Sequence, residues 1–296
     1  MIESITIKNT ITDDQISIDK NATISNSYWL DEVDFGQVEG TNHTFKFIDQ
    51  IGETVYNTTL ESRQIQVTGW VAGWNATVVS QLKQSLNHLI NPKHLLEVYA
   101  NGMKIQFYPR TSVKYSPTYQ NNNELVSSFL ITGYCPYPLF TDANSHLTSV
   151  SYTEKLFKFP LIIPANEGIM MGIRQPSLIA EVENNGDLPI GYTIEFRAGG
   201  TVINPSLTDI GTQQFIKINK TMSNGEVITV DTREGYRHIV GTVNGVESNY
   251  FKYRTFDSSW LSLNQGINYL RYNADEGVEL LEVYIIYEPG YLEVDK

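Results

Sequence analysis

Along most of this chain, short runs of alternating apolar and polar residues are separated by turn-forming residues. RQIQVTGW, LLEVYA, MKIQFY, SSFLITGY, SLIAEVEN, YTIEFRA, FIKIN, EVITVD, NYLRYNA and VELLEVYIIY each read as a strand, by a period of two or by β-branched and aromatic content. In YTIEF the alternation puts Tyr192, Ile194 and Phe196 on one face. Asn101-Gly102 separates two such runs and signals a tight type I′ hairpin; Asn224-Gly225 and Asn244-Gly245 stand in comparable places. One segment has the period of a helix instead. In NATVVSQLKQSLNHLINP, residues Val78, Val79, Leu82, Leu86, Leu89 and Ile90 form a single apolar stripe. Asn75 or Thr77 can cap its first turn, and Pro92 ends it. A helix with one apolar face must cover something, and the first sheet is the expected partner.

These elements predict a mainly β protein in two parts. Pro136 and Pro138 close the strand run that ends in TGYCPYP, and TDANSH beyond them is polar and turn-prone. The boundary is expected there, giving a mixed, mainly β domain over 1–147 and an all-β domain over 148–296. Pro160, Pro164 and Pro176 suggest irregular edge structure between Tyr152 and Pro176. The stretch NNGDLP, ahead of YTIEF, reads as a turn: Gly186 supplies backbone freedom and Pro189 fixes the exit.

Composition changes this picture only by exclusion. The 296 residues carry 33 acidic against 21 basic side chains, a net charge of −12 with no basic run, which argues against nucleic-acid binding. A single cysteine, Cys135, excludes a disulfide framework and a thiolate metal cage, and its apolar neighbours point to an inert buried thiol. MIESITIKNT has no apolar run behind Glu3, so neither a signal peptide nor a membrane span is expected.

Candidate chemistry is thin. Asp31, Glu32 and Asp34 in WLDEVDFG offer carboxylates for glycosidase-like acid–base work, but a solvated turn is the plainer reading. Asp231, Arg233 and His238 lie near one another in VDTREGYRHIV, yet no G-x-S-x-G nucleophile accompanies them. Asp231 reads better as a strand end. The five histidines, His43, His88, His94, His146 and His238, form no metal-binding pair, and no cofactor fingerprint is present. No catalytic, cofactor or metal residue is therefore assigned. Tyr250, Phe251, Tyr253 and Trp260 crowd SNYFKYRTFDSSW and leave sugar stacking as an alternative reading.

The second half also has a recognisable order of phrases: NNGDLPIGYTIEF, GGTVINPSL, FIKIN, NGEVITVDTREG and WLSLNQGINYLRY. This order resembles the C-terminal domain of the distal tail protein (Dit) family of long, non-contractile-tailed phages. The matching positions are Gly186 and Asp187, Asn204 and Pro205, Gly225 and Glu226, Asp231 and Thr232, then Leu263, Gly266 and Asn268. RQIQVTGWVAG, the helix, NPKHLLEVY and GYCPYPLF follow the order of the family's N-terminal domain. The resemblance implies an N-terminal β-sandwich with one helix and an extended arm that closes six subunits into a ring, and a C-terminal galectin-like β-sandwich. It implies a non-enzymatic hub, made in the bacterial host cytoplasm and placed at the virion tail tip. There the hub would meet the tail tube, the tail-associated protein and receptor-binding proteins. Part of 36–62 is the expected arm.

Overall fold

A computed structural model describes residues 2–22, 28–117, 125–150, 154–155, 172–173 and 179–294. It divides into one unit of Met1–Ala143 with Tyr291–Lys296 and a second of Asn144–Gly290. The mainly β class expected from the alternation is what the chain adopts, with a single α-helix among the described residues.

The first unit is built on one ten-stranded sheet. Its strands run, in spatial order, Gly290–Tyr291, Phe140–Asp142, Met103–Pro109, Leu96–Ala100, Ser4–Asn9, Gln15–Asp19, Tyr28–Asp34, Arg63–Ala72, Val126–Cys135 and Lys114–Pro117. Met103–Pro109 also pairs with Val126–Cys135, so the sheet folds back on itself around one core. Alternation explains the packing. In Arg63–Ala72 every second residue is buried, and Ile65, Val67 and Val71 join Ile5, Ile7, Val98, Ile105 and Phe107 inside. Each such side chain contributes about 1.5–3 kcal/mol by leaving water.

The helix is Ala76–Leu89, and Asn75 caps it by accepting the Val78 N–H at 2.8 Å. Val79, Leu86, Leu89 and Ile90 are buried in the first core. Two tyrosines and an asparagine also fasten it through its backbone carbonyls. Tyr28 Oη donates to the Leu82 carbonyl at 2.9 Å, Tyr115 Oη to Lys83 at 3.1 Å, and Asn9 Nδ2 to Leu89 at 3.1 Å.

The chain's end returns to this first unit. Tyr291 and Val294 are buried in its core, and Arg63 Nη2 donates to the Leu292 carbonyl at 2.6 Å. The Arg63 guanidinium lies 4.9 Å from the centre of the Phe140 ring; burial lowers its pKa while Glu293 opposes that shift. Residues 144–290 are thus an insertion between two strands of the first unit.

The second unit holds two larger sheets. One runs His146–Ser149, Leu281–Tyr287, Thr193–Ala198, Val227–Asp231, His238–Val243, Val246–Asn249; the other runs Ile179–Asn184, Gly266–Asn273, Ser206–Asp209, Phe215–Lys217. Ile194, Phe196, Ile228, Val283 and Ile285 from the first meet Val182, Leu207, Ile216 and Leu270 from the second in one core, as in a sandwich. Tyr192, Ile194 and Phe196 are all fully buried. The proline-rich stretch 152–176 lies almost wholly outside the described residues; within it only Glu154–Lys155 and Gly172–Ile173 are seen, paired antiparallel.

Two turns differ from expectation. Asn101-Gly102 and Asn244-Gly245 have positive φ at both residues, as a type I′ turn requires, but in Asn224-Gly225 only the glycine does. Gly186 does not use positive φ either. A Cβ there would sit 2.7 Å from both Gly290 N and Gly290 O, so close backbone approach excludes a side chain.

Because its core is its own, the fragment 144–290 is expected to fold alone. Calorimetry or circular dichroism of that fragment should show a cooperative melt. A non-cooperative melt would refute the independence of this core.

Candidate assembly surface

The stretch expected to hold an arm forms a hairpin of Gly40–Phe45 and Thr54–Leu60, a two-stranded sheet of its own. Its base is fixed by geometry. The Asp34 carboxylate accepts the Gly36 N–H at 2.8 Å, and Gly36 has φ of 65°, with Gln64 O 2.5 Å from where a Cβ would stand. Only glycine fits this exit. Thr58 Oγ1 donating to Asn42 Oδ1 at 2.7 Å, and His43 Nε2 beside Thr59 Oγ1 at 3.0 Å, tie the strands together.

A register shift between His43 and Thr44 leaves Tyr56 as an extra residue on the second strand. Its ring lies 6.1 Å from both His43 and Phe45, and Phe45 meets Phe47 edge-on at 4.8 Å. The result is an aromatic row along the hairpin. The tip is organised by Gln50: its Oε1 accepts the Phe47 N–H, its own N–H donates to Phe47 O, and its Nε2 donates to Thr54 Oγ1. This frame holds Ile48 and Ile51 outward at 96% and 101% exposure, while Phe47 and Tyr56 are about two-thirds exposed at 65% and 66%.

Phe45, Val55 and Leu60 on the same hairpin are also exposed. Scattered exposed leucines need no explanation, but exposed aromatic rings in contact with one another beside two wholly exposed isoleucines are the kind of surface an interaction site presents.

The two groups of candidate chemical residues lie on different sheets, and in the second Asp231 is the cross-strand partner of His238 and is bonded by Arg233. Asp31, Glu32 and Asp34 lie on the strand Tyr28–Asp34 rather than in a turn, with Asp31 the bulged residue between Leu30 and Glu32. All three are exposed, and Asp34 serves the Gly36 exit. Asp231 is buried, and its carboxylate accepts the Arg233 backbone N–H at 2.9 Å, Nε at 3.0 Å and Nη2 at 2.6 Å. Next to it, Thr232 Oγ1 donates to Tyr192 O and accepts from Tyr192 N, both at 2.9 Å. That pair builds a corner of the second core. His238 is exposed, with Nδ1 2.7 Å from Tyr236 O.

The remaining histidines do not meet. His43 is in the hairpin, His88 stands 3.9 Å from Asp14 Oδ2, His94 lies 3.0 Å from Asn9 Nδ2, and His146 stacks on Tyr287 at 5.4 Å. No group of three His, Cys, Asp or Glu side chains able to hold a metal occurs among the described residues. Burial pushes the Cys135 thiol up to about 12, against an opposing pull from Arg63. Among the described residues no helix is long and apolar enough to cross a membrane.

The aromatic cluster near Trp260 is engaged internally. Arg254 and Arg237 lie 5.1 Å and 5.6 Å from the centre of the Trp260 ring, and Phe251 tilts against it at 5.9 Å. Tyr250 packs over Gly241, where a Cβ would overlap its ring. Cations on the Trp260 ring compete with any sugar for its π-face.

The phrases shared with the tail family turn out to be turn-makers. Asn268 accepts the Asn264 N–H at 2.8 Å and donates to Asn264 O at 2.7 Å and Gly266 O at 3.0 Å. Asn204 has φ of 52° and donates to Asp275 Oδ2 at 2.8 Å.

Residues 185–291 match a family model described as the siphovirus-type tail component, C-terminal domain. The second unit is therefore similar in sequence to that class of phage tail-component domain. A crystal structure of the Dit protein of phage SPP1, described as a paradigm of the hub adsorption apparatus in phages infecting Gram-positive hosts, superposes with a TM-score of 0.63 at 13% identity. It covers 96% of this chain and 98% of that one. The activated phage P2 baseplate with calcium (TM-score 0.51, 13% identity) and with strontium (0.52, 12%) each match 97% of this chain and 98% of theirs. Curated proteins give no match. The chain thus resembles the distal tail protein family in the sequence of its second unit and in its fold throughout, as the order of phrases led one to expect.

Proposed function

We propose that this chain is a structural, non-enzymatic hub of a phage tail tip. Six copies close into a ring through their first units, each hairpin reaching its neighbour, and the ring joins the tail tube to tail-associated and receptor-binding proteins. Its place is the tail tip of the virion, after synthesis in the bacterial host cytoplasm. The observation that carries the reading is the hairpin, an exposed aromatic row with an aliphatic tip that a monomer has no use for. The fold shared with the SPP1 hub protein supports it.

Six copies of the 33.5 kDa chain give about 200 kDa, or twice that if two rings stack. Light scattering over a concentration series, alone and with the cognate tail-tube protein, should find that mass, and negative-stain images a six-fold ring. Ile48→Asp with Ile51→Asp should leave a folded monomer, since both side chains are wholly exposed. Wild-type chain that stays monomeric with its partner present, or an aspartate variant that assembles like the parent, would defeat the reading.

A further inference from the structure

We propose that the turn Thr255–Ser258 of the second unit, with the cations around Trp260, is a docking surface for an acidic protein. The partner is a chain other than this one, with an apolar pocket for one aromatic ring and carboxylates at its rim. The inference rests on the hub reading and adds to it a working surface on the second unit.

Phe256 is 101% exposed, and the turn that carries it is firmly held. Ser258 N–H donates to Thr255 O at 3.2 Å and closes the turn. The buried Ser258 hydroxyl accepts the Lys217 N–H at 2.9 Å and lies 2.7 Å from Thr255 Oγ1. Thr255 N–H donates to Lys217 O at 3.1 Å, and Ser259 N–H to Phe215 O at 2.8 Å. The turn is thus stitched at both ends to the strand Phe215–Lys217. A large apolar side chain displayed this way is preorganised to enter a pocket, because little loop order is lost on binding.

Its surroundings decide the partner. Arg254 and Arg237 lie over the Trp260 ring, and Lys252 stands 5.0 Å from the centre of the Tyr253 ring. Among the described residues Lys252 and Arg254 pair with no carboxylate, and Arg237 only approaches the exposed Glu234 at 3.6 Å. Asp257, the turn's own carboxylate, pairs with none of them. Lys217, Lys220 and Arg233, by contrast, are matched by Asp275, Glu226 and Asp231. In a chain with 33 acidic against 21 basic residues, unmatched cations beside an exposed aromatic call for carboxylates from outside. Aromatic residues with arginine are also the composition enriched in protein interfaces. A neutral sugar meets a Trp260 ring already holding guanidinium groups, and a polyanion leaves Phe256 in water. The patch of a second copy sets like charges against each other. An acidic protein satisfies both the ring and the cations.

The test places a photoreactive phenylalanine, p-benzoylphenylalanine, at position 256, where full exposure tolerates the added bulk. Assembled tails carrying it are irradiated, and the linked segment is identified by mass spectrometry. The expected product joins this chain to one other tail protein, at a segment with more aspartate and glutamate than lysine and arginine. Arg237→Glu with Lys252→Glu, both exposed changes, should cut that product at least tenfold and leave the melting temperature unchanged. A link to a second copy of this chain, to a basic segment or to no protein refutes the surface. So does a charge-reversed chain that links like its parent. If rings of the expected mass are present in such tails without the link, the hub reading stands and the surface alone is lost. Tails that assemble without this chain refute the hub reading as well.

Discussion

Gly133→Val is expected to lower the melting transition of the first unit by about 10 °C or more and to leave the second unit's transition in place. Gly133 faces inward on Val126–Cys135, opposite Ile65 and Pro109 on its two neighbouring strands. A Cβ there would overlap the Phe107 ring and stand 2.7 Å from Ile65 Cγ2. Phe107 and Ile65 are buried and cannot swing out to solvent. Gly69, on the facing strand, makes room in the same way for Phe129, whose Cζ would lie 2.5 Å from its Cβ. Overpacking a close-packed core costs about 1–3 kcal/mol, and a valine beyond an already forbidden Cβ belongs at the top of that range. For a unit of this size each kcal/mol moves the midpoint by roughly 3–4 °C. Calorimetry of the variant reads this directly. Phe107→Leu should restore part of the loss in the double variant, which a double-mutant cycle isolates. A Gly133→Val protein that melts like its parent would show that the Phe107 packing is wrong.

Much of the fold was legible because burial writes itself into alternation. Arg63–Ala72, Thr193–Ala198 and Leu281–Tyr287 each have one face in a core, and a period of two follows. The helix declared itself by its stripe and by Asn75. The hairpin strands did not, since GTNHTF and TVYNTTL bury almost nothing and so carry no pattern. Tyr28–Asp34 was obscured by its bulge, which places Asp31 and Glu32 out of alternation and makes a strand resemble a charged turn. The return of Tyr291 and Val294 to the first core is a long-range contact with no local signature.

Glu226→Gln is expected to destabilise the second unit by about 2–3 kcal/mol and to flatten its stability in acid. Glu226 is only 2% exposed, with Oε1 2.7 Å from Lys220 Nζ. Oε2 accepts the Ser223 N–H at 3.0 Å and the Ser223 hydroxyl at 3.1 Å. Burial alone would raise its pKa, but the Lys220 ammonium and the Ser223 N–H outweigh that and hold it below the ordinary glutamate range. The sign follows by linkage. A carboxyl with a depressed folded pKa stabilises fully above its unfolded pKa, and loses that contribution as pH falls through the folded value. The second unit should therefore keep its melting temperature down to about pH 5 and lose it progressively below about pH 4. Lys220 gives the mirror image: burial lowers its pKa, but the Glu226 pair wins and raises it, so its contribution fades only in strong alkali. Breaking a buried ion pair costs about 3–5 kcal/mol when a charge is stranded, and Lys220 keeps some access to water, which brings the figure down. Melting curves of 144–290 with and without Glu226→Gln, from about pH 3 to about pH 8, measure both effects. The parent should converge on the variant as the pH drops, because a protonated Glu226 and the variant's glutamine amide present the same kind of neutral group to Lys220. If the two curves stay parallel across that range, the ion pair is not what holds this corner of the sandwich.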